Sequence, residues 1–133
     1  MIRSLRSIAL ALALPGAAAQ AQDPAAGAEL YGFYCATCHG ADAQGGGPMA
    51  PALLLQPPDL TQLSARNEGA FPTVRVVMRI DGRDPLTSHG SPMPVYGPIF
   101  DGDDTPLKSG SGQPIMTSRA IVDLVKFLEA IQQ

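Results

Sequence analysis

Five consecutive residues, Cys35-Ala36-Thr37-Cys38-His39, constrain this chain more than any other stretch. On a helix, thiols three positions apart lie one turn apart on the same face, and here an imidazole follows directly. That pattern fits a covalently held haem. Both sulfurs reach the vinyl groups along one porphyrin edge, and His39 swings beneath the macrocycle to coordinate iron from one side. The rest of the chain then has to fold around a large apolar disc.

Two plainer readings of the cysteines fit less well. A redox disulfide of the Cys-x-x-Cys type is expected beside a βαβ pattern in a reducing compartment, and neither is visible. A structural zinc site needs four ligands in compatible spacing, yet beyond Cys35, Cys38 and His39 the sequence offers only His89.

Residues 1–21 carry Arg3 and Arg6, then an apolar stretch from Ile8 to Leu14, then small residues ending in Ala19-Gln20-Ala21. These are the regions of a cleaved secretory signal peptide. The apolar run is too short to span a bilayer, and no other stretch approaches the length a span requires. The expected product is one exported, periplasmic domain over residues 22–133, about 110 residues long. Losing two arginines takes the formal charge from −3 to about −5, which argues against nucleic acid as a partner. With 14 Gly, 13 Pro and few aromatics, a domain this small builds a thin core, and a porphyrin would supply the missing apolar mass.

Asp23 as a cap, Pro24 at the first helical position and the good helix formers after it predict a helix running to about Cys38. Gly40 stops it, and a glycine-rich loop, Ala43-Gln44-Gly45-Gly46-Gly47-Pro48, follows. At the other end, Ile121, Leu124, Val125, Leu128 and Ile131 form one helical stripe, with Asp123, Lys126 and Glu129 off it and Thr117 or Ser118 as cap.

Gly27, Leu30-Tyr31, Cys35-Ala36-Thr37-Cys38-His39-Gly40 and the glycine loop resemble the N-terminal half of a class I monohaem cytochrome c. The resemblance implies an all-α fold: N- and C-terminal helices crossing at Gly27 and Tyr31 against Leu124 and Phe127, with further short helices around one covalent haem c. It also implies attachment after export. A proline carbonyl would accept from the free N–H of His39; Pro51 is expected to supply that carbonyl, with Pro48 as competitor. Leu53 would line the pocket. Pro57-Pro58-Asp59-Leu60-Thr61 opens a short helix towards Arg66. Residues 71–80 mix strand and helix signals, and the resemblance favours helix, ended by Asp81-Gly82.

The second axial ligand sets the redox character, because a thioether raises the potential relative to a second imidazole. Met49 sits close to His39 in sequence, Met78 lies within the expected middle helix, and Met116 adjoins the last helix. Met93 lies in Ser91-Pro92-Met93-Pro94-Val95-Tyr96-Gly97, where flanking prolines stiffen the chain, and this loop resembles the distal-ligand loop of the same cytochromes. His89 is the rival ligand, or a partner for a haem propionate. Residues 98–114, with Asp101-Gly102-Asp103-Asp104 and Ser109-Gly110-Ser111-Gly112, read as a loop longer than the shortest family members carry.

The resulting expectation is a one-electron carrier between redox partner proteins, with His39 and Met93 as axial ligands and no catalytic constellation. Two alternatives stand beside it: a fixed haem c subunit of a periplasmic dehydrogenase or oxidase complex, and a ligand-binding or peroxidatic haem protein with an open sixth position.

Overall fold

The structure is a computed structural model that describes residues 22–84 and 93–133. The expected leader, residues 1–21, and His89 lie outside the described residues. Helix α1 spans Pro24–Tyr34 and begins as its sequence directs: the Asp23 carboxylate accepts from the N–H groups of Ala25 and Ala26, and Pro24 takes the first helical position. The helix does not run unbroken to Cys38. Cys35, at φ −114°, interrupts it, and a single further turn, α2 over Ala36–His39, carries the second cysteine and the histidine.

The middle segment is helical, as expected. Helix α3 spans Thr73–Asp81, buries Val76, Val77 and Ile80, and ends at Gly82. The expected short helix after Pro57-Pro58 is instead a pair of 3₁₀ turns, Leu60–Gln62 and Ala65–Asn67, the first capped by Asp59. Helix α4 spans Arg119–Ala130, with the Ser118 hydroxyl accepting from the N–H of Ile121 at 3.4 Å.

Helices α1 and α4 cross at the expected place. A Cβ built on Gly27 would stand 2.6 Å from the carbonyl carbon of Asp123 and 2.9 Å from Cβ of Phe127, so only glycine admits this approach. One turn on, the rings of Tyr31 and Phe127 pack at 5.1 Å. The core lies between these helices and α3, built from Tyr31, Val76, Val77, Ile80, Ile121, Leu124, Val125 and Leu128. Asp123 departs from the expected pattern. It is buried, and its carboxylate accepts from the N–H of Asp23 at 2.8 Å and pairs with Arg119 at 2.9 Å.

The all-α expectation needs correction. Asp104–Lys108 (β1), inside the segment 98–114 read as loop, and Pro114–Ser118 (β2), which starts at its last residue, pair antiparallel, Leu107 opposite Ile115 and Thr105 opposite Thr117. Alternation explains the pairing. Leu107 and Thr117 face inward and are buried, while Pro106 and Met116 face out. A two-stranded ribbon is all edge, so the missing N–H of Pro106 and Pro114 is tolerated. No helix among the described residues is long and apolar enough to cross a membrane.

Candidate haem site

The break at Cys35 positions the site. Cys35 N–H still donates to Tyr31, while the N–H groups of Cys38 and His39 both turn back to the Cys35 carbonyl, so α2 is one tight turn hung from the end of α1. Cys35 is buried, Cys38 half-buried, and both thiols are free. Burial, with the Cys38 thiol beside it, pushes the Cys35 thiol up to about 11. A protonated thiol of that kind is a poor thiolate nucleophile, which weighs against disulfide-exchange chemistry.

His39 is 8 % exposed. Burial pushes its imidazole below the usual range, against the smaller opposing effect of a carbonyl bonded to its ring. Burial therefore favours the neutral ring, the form that binds metal. That carbonyl belongs to Pro58, with its oxygen 3.4 Å from Nδ1. A carbonyl only accepts, so Nδ1 carries the proton and Nε2 keeps the lone pair that binds metal.

The proline expected in this role, Pro51, is not the one the fold delivers. Pro51 sits in a 3₁₀ turn, Ala50–Ala52, and is exposed. The chain needs the further residues to Pro58 to come back to the imidazole. Gly45 makes this return possible: its φ is +90°, and a Cβ there would stand 3.2 Å from the Pro57 carbonyl carbon, with the Pro57 oxygen nearer still. The approach is fixed from the other side by Leu60, whose N–H donates to Ala43 at 2.8 Å. Leu53 is half-buried.

Met93 is half-buried and packs against the core. Among the described residues, Tyr96 ties down the loop that carries it: its N–H donates to Ile80 at the end of α3, and its hydroxyl donates to the Tyr34 carbonyl at 2.9 Å. Tyr34 directly precedes Cys35, so the methionine loop is tied to the residue beside the first thiol. Burial raises the Tyr96 hydroxyl, with smaller contributions from the thiols of Cys35 and Cys38. The rings of Tyr34, Tyr96 and Phe100 pack together, with Tyr34 edge-on to Phe100 at 5.0 Å and Tyr96 stacked on Phe100 at 5.6 Å. Sequence reasoning did not find this cluster. Tyr34 lies far in sequence from Tyr96 and Phe100, so no periodic pattern connects the three.

Tyr31 was also read for packing alone. Its hydroxyl donates to the Gly40 carbonyl at 2.6 Å, which joins the α1–α4 crossing to the residue just after His39.

The residues fit a haem. Free thiols, a neutral imidazole with its tautomer set, and a thioether on an anchored loop are the donor set that haem c takes.

Residues 24–132 match the family model described as Cytochrome c. Comparison with curated proteins and with solved structures gave no match. The chain belongs to the cytochrome c family, whose haem c is covalently attached and whose work is haem-based electron transfer.

Proposed function

We propose that this protein is an exported one-electron carrier in which His39 and Met93 hold the haem iron from opposite sides. The observation that carries the reading is the buried His39 ring with Nδ1 turned to the Pro58 carbonyl, next to two free thiols on one helical turn. Haem, when bound, supplies a one-electron iron couple. Cys35 and Cys38 would hold the porphyrin through thioethers, each thiol adding across a vinyl group so that sulfur bonds to one carbon and the proton goes to the other. Pro58 keeps the His39 tautomer. Met93 would offer its thioether from a loop pinned at Tyr96, favouring the ferrous state relative to a second imidazole.

Held by both residues, the iron would offer substrate no place to bind, and the haem would supply one-electron exchange with a partner. Residues 1–21 would direct export to the periplasm and be removed, leaving residues 22–133 as the working domain. Redox proteins would be the partners on both sides, either met in solution or as neighbours in an oxidoreductase complex. Nucleic acid is disfavoured by the net charge of −3 on the whole chain.

The test is to express the full chain with haem-maturation machinery, then combine intact mass with a potentiometric titration. The reading predicts one haem covalently bound, loss of residues 1–21 and a single one-electron transition. Non-covalent haem, or covalent haem still held when both cysteines are replaced by serine, would contradict it.

A further inference from the structure

We infer that Gln132, just beyond α4, is a positioning residue for His39, acting through the segment that presents the Pro58 carbonyl. The inference rests on His39 being the iron ligand. The Gln132 amide makes three hydrogen bonds: Nε2 donates to the carbonyls of Leu60 at 2.8 Å and Leu128 at 2.7 Å, and Oε1 accepts from the N–H of Ser64 at 2.8 Å. Two acceptors at nitrogen and a donor at oxygen leave only one orientation for the amide. The neighbouring Gln133 N–H donates to the Thr61 carbonyl at 3.0 Å.

The two peptide groups that flank the Leu60 Cα are thereby both held. The Leu60 N–H is bound to Ala43 and its carbonyl to Gln132, two residues after Pro58. Asp59, between them, is held by Thr61, whose N–H and hydroxyl donate to its carboxylate at 2.8 Å and 2.6 Å. This rigidity matters at the 3.4 Å separation between Nδ1 and the Pro58 oxygen. A hydrogen bond that long lies where a small displacement decides whether it exists.

Helix α4 connects the two halves of the bond. Its first half crosses α1, from which α2 and the imidazole hang, and its far end clamps the loop that brings the carbonyl. It therefore sets the distance between donor and acceptor. A firm Nδ1–H bond makes the imidazole a stronger donor to iron and favours the ferric state, so slackening the clamp favours the ferrous state.

The test uses the holoprotein as Gln132→Leu, with Ile131→Ala as a control. Ile131 packs on the core at the same end of α4 and makes none of the hydrogen bonds of the clamp. Replacing Gln132 raises the ratio of reduced to oxidised protein at fixed ambient potential by about three-fold, less than the roughly ten-fold or greater effects of removing an outer partner itself. It also speeds solvent exchange of the His39 Nδ1 proton in the reduced protein. Ile131→Ala lowers stability but changes neither. Equal losses of stability in the two variants with unchanged potential and exchange would overturn the inference.

Should Gln132→Leu fail to mature, exchange in the wild-type holoprotein decides. Matched opening of the Ser64 amide and the His39 Nδ1 proton supports the clamp, and a His39 proton that outlasts the Ser64 amide refutes it. Absence of covalent haem in the wild type would instead defeat the reading on which the inference rests.

Discussion

One missing side chain decides how closely the first and last helices meet. At Gly27, Gly27→Ala would drive a methyl group into the Asp123 backbone, where backbone cannot yield by rotamer change. The expected loss is about 3 kcal/mol, the upper end for overpacking, measured by denaturant unfolding of the holoprotein. Full stability would mean that α4 shifts freely on α1. Tyr31 gives a pH-dependent case. Burial holds its hydroxyl well above its ordinary value of 10.0, with the neighbouring Cys35 and Asp42 adding to the effect. The folded state therefore keeps a proton that the unfolded chain releases, so this contribution is complete below about pH 10 and is lost as the pH rises beyond it. In Tyr31→Phe the alkaline decline becomes shallower by one proton, while stability at pH 7 falls by about 1 kcal/mol through loss of the bond to Gly40. An unchanged alkaline slope would exclude Tyr31 as its source.

Helix starts and the closest crossing were legible because they rest on local rules. Asp23, Pro24, Gly27 and Ser118 each act within one turn or at one contact, and the structure uses them as read. Three features depend on where the chain goes next and were not legible. Asp123 lies off the apolar stripe, yet the approach permitted by Gly27 encloses it, where the Asp23 N–H and Arg119 satisfy it. Pro58 supplants Pro51 because the loop path, not sequence distance from His39, determines which carbonyl arrives. The β1–β2 ribbon was hidden by its prolines and by the Ser-Gly repeat, and its inward residues are too few to make a strong alternating pattern. Its two faces give a paired prediction. Leu107→Ala, at a fully buried site, costs about 3 kcal/mol, whereas Met116→Ala, at a site 47 % exposed, changes stability by under about 0.5 kcal/mol. Equal effects in thermal or denaturant unfolding would show that the ribbon does not pack through Leu107.

Across the whole molecule, the peptide core and the haem site are one construction. The crossing of α1 with α4 carries α2 and His39, α3 anchors the Met93 loop through Tyr96, and the segment around Pro58 closes on the imidazole. A core this small would gain apolar contacts from a covalently held porphyrin. Cys35→Ser with Cys38→Ser is accordingly expected to retain helical far-ultraviolet signal while losing much of its near-ultraviolet signal and unfolding at lower temperature than the holoprotein. A variant that unfolds as late and as cooperatively would show that the protein core is sufficient.

The most direct test of the central claim is the spectrum of the holoprotein, taken ferric with and without cyanide and ferrous with and without carbon monoxide, in wild type and Met93→Ala. The account predicts a methionine–iron charge-transfer band in the wild-type ferric protein, slight binding of either ligand, and loss of the band with rapid binding in Met93→Ala. Rapid carbon monoxide binding by wild-type protein without that band would contradict it and indicate an open haem site, and absence of both band and binding would indicate ligation by His89.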